Sequence, residues 1–276
     1  MGWGAHTLLG ASPSRPSWKQ KKGEERAGWW GLSSAPPPLH PLTSLSVSLL
    51  FSLSLFSCSF GADPAYPLPP AFYADFMRGA AEETSHFRAL EQRLVDTGYA
   101  YGSFPAHDGL WASAASTAHS LPARLAVEHC VHEARGLDTL PATIAKFRTH
   151  GDGASVAVLE GVIYPEEVTH CAAGVRWLTW LHGVATGEGA VDAPAAAVAA
   201  ARGAAWAAEA RGHPTPQAWF HSLVRAHFAG SLKPPFNSAA RLAAGFTEEW
   251  YLPLATPPGG AGVAGGPGSR AGPKEA

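Results

Sequence analysis

At two places in this chain a Glu-x-x-His pair interrupts an otherwise apolar helical stripe: Glu83/His86 and Glu167/His170. The first stripe runs Phe72, Phe76, Gly79/Ala80, Phe87, Leu90 and Leu94 at spacings of three and four, and interpolating its middle lands on Glu83 and His86. The second runs Val156, Leu159, Ile163, Gly174, Trp177/Leu178 and Leu181, and the same interpolation lands on Glu167 and His170. A helix that buries such a stripe carries a carboxylate and an imidazole into the core. An unpaired charge there is very costly, so a workable fold has to give each group a partner.

Helical periodicity continues nearly throughout residues 66–254, with Gly and Pro as punctuation and little β-branched alternation, so the expected fold class is all-α. The first strong helix opens at Pro69-Pro70 and ends at Gly98. A second long segment spans about 152–182, and Pro165 inside it predicts a kink just before its Glu-x-x-His pair. Between them, Pro122 to Arg135 reads as a shorter helix ended by Gly136, with a polar cluster of Glu128, His129, His132 and Glu133; Thr139 to His150 makes a further short helix or turn. An Ala-rich helix at about 193–211, a helix from Pro214 to Phe228, the loop LKPPFN at 232–237 and a short helix capped by Asn237 complete the domain.

Composition narrows the classes. At 46% hydrophobic residues the chain has enough for a sizeable core, which excludes a wholly disordered protein, and 20 Lys+Arg against 22 Asp+Glu leaves no global footprint for nucleic acid. Cys58, Cys130 and Cys171 are too few and too scattered for a disulfide framework or a zinc finger, and they fit a reducing compartment. Histidine is the unusual count: eleven of 13 lie between His86 and His227.

Residues 1–65 mix Trp, Ser and Pro with a basic run and show no helical period. The apolar run Leu42–Phe60 is long enough to be considered as a membrane span, but nearly half of it is Ser or Thr. Its residue types all have pyrimidine-rich codons, so it reads first as the translation of an intron's pyrimidine tract. An organelle transit segment comes second and a membrane anchor third. The expected location is accordingly cytoplasmic, or organellar if the segment is a transit sequence. Residues 255–276, rich in Gly, Pro and Ala, have no means of burying a core and are expected to be disordered.

The two Glu-x-x-His pairs carry chemistry together with Glu133. In a four-helix bundle, Glu-x-x-His on each of two helices and one Glu on each of the others supply the ligands of a di-iron or di-manganese carboxylate site. Carboxylates bridge and neutralise two cations, while each imidazole gives one metal a neutral nitrogen ligand. A single Glu-x-x-His means nothing in so histidine-rich a chain; two copies on core-facing stripes are a far stronger signal. Other residues keep blander readings. His107 anchors a loop, with proton transfer near the site as its sharper alternative. Glu128, His129 and His132 make hydrogen bonds around the site or at the surface, and Trp177/Trp180 belong to the core. His132-Glu133 is not a zinc-hydrolase motif, since no second His follows at the required spacing.

YGSFPAHDGLW (101–111), HEARGLD (132–138), EEVTHCAAGVRW (166–177) and LKPPFNSAARLAAGF (232–246) resemble the ferritin-like family known as domain of unknown function 455, itself distantly similar to the tRNA hydroxylase MiaE. The resemblance covers roughly 66–254 apart from an Ala-rich stretch at about 183–211 that looks like an insertion. It implies a ferritin-like helical bundle with a di-metal centre and no settled reaction. Its metal-ligand positions fall on Glu83, His86, Glu133, Glu167 and His170. Relatives of this kind carry one more Glu on a first bundle helix, whose place here is taken by the Ser/Leu/Phe segment, so the bundle is expected to lack its first helix and the site to bind metal with reduced occupancy. The expected cofactor is two iron ions, with manganese as the alternative. The expected activity is that of an oxygen-dependent oxidoreductase, a hydroxylase or oxidase, acting on an unknown small molecule. Its alternative is a non-catalytic helical protein with an incomplete metal site. Nucleic acid is not expected as a partner, because Arg88, Arg93, Arg124, Arg135 and Arg176 are few. Neither a membrane nor a storage cage is expected.

Overall fold

The computed structural model describes residues 60, 63, 65–105, 108–188 and 195–256. The expectations for the N-terminal zone before residue 60, for His107 and for the tail beyond residue 256 lie outside the described residues. The described residues are mostly helical, with no β-strand among them beyond a single bridge between Leu232 and Ala255, so the fold is all-α. No described helix is long and apolar enough to cross a membrane.

Helix α1 (Pro70–Asp96) begins at a proline whose missing N–H would be unpaired in a first turn anyway, and Gly98, at φ +88°, takes the left-handed conformation just past its end. Its buried residues are Phe72, Phe76, Gly79, Glu83, His86, Leu90 and Leu94, the interpolated stripe with its polar interruption inside. After the short α2 (Gly109–Ser116), three segments run on without a break: α3 (Leu121–Arg124), a π-helical stretch π1 (Leu125–His132) and α4 (Glu133–Thr149). The next rod has the same construction, with α5 (Gly153–Val158), π2 (Leu159–Ile163) and α6 (Tyr164–Thr186). Asp152 caps its start by accepting from Ser155 N at 2.9 Å, and Gly187 closes it at φ +83°.

Two sequence expectations change here. Gly136 does not end a helix: it lies buried inside α4, which also carries Pro141 within it, so the two expected pieces are one rod. Pro141 removes the donor that would have met the carbonyl of Leu137, and Asn237 Nδ2, from the far end of the domain, donates to that carbonyl at 3.1 Å instead. The Ala-rich stretch, expected as one helix, is two, α7 (Ala195–Arg202) and α8 (Ala205–Arg211), separated by an extended Ala204. The break aims Trp206 at residues outside the helices, where its Nε1 donates to the carbonyl of Ala65 at 2.9 Å and its ring stacks on Tyr66. Where the sequence predicts a kink at Pro165 the rod carries π2, whose i→i+5 pattern falls where that residue has no N–H to donate. Helix α9 (Pro216–His227) and the short α10 (Ser238–Ala243) and α11 (Glu248–Tyr251) complete the fold.

Seven consecutive residues of π1, Leu125–Val131, are buried, so this segment is the central element, enclosed on all sides rather than along one stripe. Gly174 lets α6 approach it closely: a Cβ there would sit 2.6 Å from His129 Cβ. Helices α1 and α6 run antiparallel. Phe72 meets Trp177 at one end, with ring centroids 5.2 Å apart, while Leu90 and Leu94 share a core cluster with Ile163 and Leu159 at the other. Along both helices the Glu-x-x-His pairs fall between these two apolar clusters.

Candidate metal centre

The antiparallel pairing brings Glu83 and His86 of α1 opposite Glu167 and His170 of α6, and Glu133, the first residue of α4, closes the third side. Ligand atoms of Glu83, Glu133, Glu167 and His170 lie within 4.8 Å of one another, and all four residues are buried. His86 stands at the edge of this group, its Nδ1 3.5 Å from Glu83 Oε1 and 3.8 Å from Glu167 Oε1. His170 Nδ1 is 3.2 Å from Glu83 Oε1. All five sequence-derived residues are therefore brought together, four in mutual ligand distance and His86 beside them.

Glu82 and Glu166, which sequence reasoning passed over, hold the outer edges of the two imidazoles. Glu166 Oε2 lies 2.5 Å from His86 Nε2, and Glu82 Oε2 lies 2.8 Å from His170 Nε2. Each motif is in fact Glu-Glu-x-x-His, EETSH at 82–86 and EEVTH at 166–170. In each, the first Glu serves the histidine of the opposite helix. Each of these carboxylates takes the Nε2 edge of its imidazole, which leaves Nδ1 turned toward the cluster. The doubled Glu was the available signal.

Inside the cluster the polar atoms are left without hydrogen bonds. Both carboxylate oxygens of Glu83 and of Glu133, Oε2 of Glu167, and Nδ1 of His86 and His170 are buried and make no hydrogen bond, though His170 Nδ1 and Glu83 Oε1 approach to 3.2 Å. Buried polar groups are normally satisfied, and so many in one place, on oxygen and nitrogen donors drawn from three helices, match a site built to hold a cation. The metal-free charge state fits the same view. Burial raises the Glu83 carboxyl, but the imidazoles of His170 and His86 beside it outweigh burial and hold the group below its ordinary value. Burial pushes Glu133 up to about 8, reinforced by the charges of Glu83 and Glu128, and lifts Glu167 well above the carboxylate range. Burial disfavours the charged form of His170, yet Glu83 and Glu167 raise it to about 9. Three carboxylates this close share too little positive charge to ionise together, and a bound cation would reverse that balance.

The other polar residues of the sequence cluster are placed differently. Glu128 Oε1 accepts from Ser113 Oγ at 2.7 Å, and the same hydroxyl lies 3.1 Å from His132 Nε2, so this pair is joined through α2 and is not part of the Glu83, Glu133, Glu167 and His170 group. His129 packs its ring against Phe76, centroids 4.8 Å apart, with Nδ1 3.7 Å from Glu133 Oε1. Trp177 is core, and its Nε1 donates to Asp75 Oδ2 at 2.8 Å. Of the arginines, Arg93 pairs with Asp96 and Asp152, Arg176 with Asp75, and Arg124 is buried. A crevice of about 10 Å³, floored by Phe76, Gly79 and His129, reaches His170 from outside and has room for roughly one water.

Among curated proteins the chain is 41% identical over 107 residues to an uncharacterized protein of Haemophilus influenzae, a match covering 39% of this chain and 37% of that protein. No solved structure matches. The family model described as "Protein of unknown function (DUF455)" matches residues 50–252, a range that takes in all three long rods and both Glu-Glu-x-x-His motifs, and the chain belongs to that family.

Proposed function

We propose that this is a ferritin-like metalloprotein whose Glu83, His86, Glu133, Glu167 and His170 hold two iron ions, with manganese as the alternative, and that it acts as an oxygen-dependent oxidoreductase of hydroxylase or oxidase type on a small molecule. The observation that carries this reading is the convergence of unpaired, buried carboxylate and imidazole atoms from three helices on one point. Glu133 and Glu167 are suited to bridging, His86 and His170 to binding one ion each through Nδ1, and Glu83 to a bridging or terminal place. Bound iron would supply Lewis acidity and one-electron chemistry toward dioxygen. The chain's own residues orient the imidazoles through Glu82 and Glu166, exclude bulk water with the apolar clusters on either side, and admit a molecule about the size of water through the crevice at His170.

One observation favours a second reading. The group in mutual ligand distance has four members, and among the described residues no further helix adds a carboxylate to it. On that reading the cluster holds one ion that stabilises a non-catalytic fold. Metal analysis of the full chain purified from iron-supplied cells, with dioxygen uptake on adding ferrous iron to the stripped protein, separates the two. About two irons per chain with uptake supports the proposal; about one without uptake supports the second reading. Less than ~0.2 metal per chain, on the scale of a site for two, sinks both.

A further inference from the structure

A cavity of about 320 Å³ opens on another side of the π1–α4 rod, between it and the loop that follows α9. Its volume is in the range of small-molecule sites. Successive residues divide between the two places: Glu133 belongs to the acidic cluster, while His132 and Arg135 line the cavity.

The cavity's charges are unbalanced. Its one carboxylate, Asp138, is already engaged by Arg241 in a two-point pair, Nη2 to Oδ2 at 2.6 Å and Nε to Oδ1 at 2.9 Å, and also accepts from Asn237 N at 2.9 Å. Arg241 is fixed in place, 2% exposed, with its guanidinium carbon 4.4 Å from the Tyr251 ring centroid and 4.9 Å from that of Phe236. Its remaining nitrogen, Nη1, is buried without a hydrogen-bond partner. Arg135 and Lys233 add two further cations to the lining. Arg135 is held across the mouth by its Nη1, which donates to the Lys233 carbonyl at 3.0 Å and lies 3.7 Å from Asp138 Oδ2, so Asp138 is shared by two arginines and the three cations still outnumber it. The rest of the wall is apolar, with Phe228, Leu232 and Phe236 prominent.

We infer that this cavity is a binding site for a small organic anion: an apolar body of modest size carrying one carboxylate or phosphate group. The anionic oxygens meet the arginine and lysine nitrogens, where planar guanidinium groups match either anion in two-point fashion. The apolar body lies against Phe228 and its neighbours. The site needs no metal, so its test is separate from that of the acidic cluster.

Isothermal titration of the full-length, metal-free chain with benzoate, phenyl phosphate and benzyl alcohol tests the inference. At least one of the two anions is expected to bind saturably, with the neutral alcohol at least ~10-fold weaker. Saturation by benzoate alone assigns a carboxylate site, and by phenyl phosphate alone a phosphate site. The double variant R135Q/K233Q changes two side chains at the cavity mouth, leaves the Arg241–Asp138 pair in place, and is expected to weaken anion binding by ~10-fold or more. Raising the salt concentration should weaken the wild type more than the variant. Equal affinity for the alcohol, unchanged affinity in the double variant, or no saturable binding of either anion up to ~10 mM would each overturn the inference.

Discussion

Glu167→Gln distinguishes a metal ligand from a structural ion-pair partner. Glu167 is 3% exposed, its Oε2 has no hydrogen bond, and burial together with the Glu133 charge raises its carboxyl well above the ordinary range, which without metal favours the neutral form. A group whose pKa is raised on folding adds stability at low pH and loses it as pH climbs toward the folded value. An amide of nearly the same shape suffers no such loss. The metal-free variant should therefore melt at or above the temperature of the metal-free wild type. Metal reverses the comparison. At a concentration 100 times the Kd, a bound ion adds about 2.7 kcal/mol to the wild type. At ~2–4 °C per kcal/mol for a domain of this size, that is a rise in Tm of about 5–11 °C. The variant should forfeit most of this rise. Circular dichroism melts with and without anaerobic ferrous iron, and metal analysis of each sample, measure both quantities, with exposed Glu248→Gln as a control that should change neither. A metal-free Tm lowered by ~8 °C or more with metal content unchanged would make Glu167 a salt-bridge partner and refute its assignment as a ligand.

Three further outcomes follow from particular contacts. Glu82→Gln and Glu166→Gln, which weaken the grip on His170 Nε2 and His86 Nε2, should each lower metal affinity by ~10–100-fold in a competition titration while leaving the number of ions at saturation unchanged. Gly174→Ala places a Cβ 2.6 Å from His129 Cβ and 3.0 Å from the His129 carbonyl carbon; because part of that wall is backbone, it should cost ~1–3 kcal/mol, read as a lowered Tm in the metal-free protein. Burial pushes Glu128 up to about 7, against a hydrogen bond from Ser113 and the charge of Arg124. Its contribution to stability is therefore complete below pH ~4.5 and lost as pH rises to about 7. At ~1.4 kcal/mol per pH unit this is a change on the order of 3 kcal/mol, which Glu128→Gln should remove from urea unfolding measured across that range.

The α1 stripe was legible because one face of a long, otherwise solvated rod is buried. Period alone therefore located Glu83 and His86. The same logic failed on α4, where Gly136 and Pro141 carry local costs that are met by groups distant in sequence, among them the amide of Asn237 on the carbonyl of Leu137. Glu82 and Glu166 flank their stripes and read as surface residues until the antiparallel pairing of α1 with α6 puts each beside the other helix's histidine. The link from Glu128 through Ser113 to His132 depends on α2, whose sequence carries no polar pattern to announce it. Nor does any motif foretell the cavity at Arg135, because its far wall is the loop after α9.

The irregular backbone falls where the unpaired polar atoms fall. A π turn closes i→i+5 rather than i→i+4 and is rare in a helix without a reason to be there. In this fold π1 ends at His132, one residue before Glu133, and π2 ends at Ile163, four residues before Glu167. The additional residue in such a turn rotates everything downstream by ~100° relative to an uninterrupted helix, so it decides which way the following carboxylate points. Helix α1 contributes its pair from regular α-helix, and the two π-containing rods are aimed at it. Each feature by itself destabilises the metal-free fold: two disrupted hydrogen-bond ladders, seven buried polar atoms without partners, and three carboxyl groups crowded into ligand distance. Apolar side chains at these positions would pack the gap between the two core clusters at lower cost. Locally unfavourable choices made at one point by three separate helices are what a binding site requires and what a purely structural core avoids.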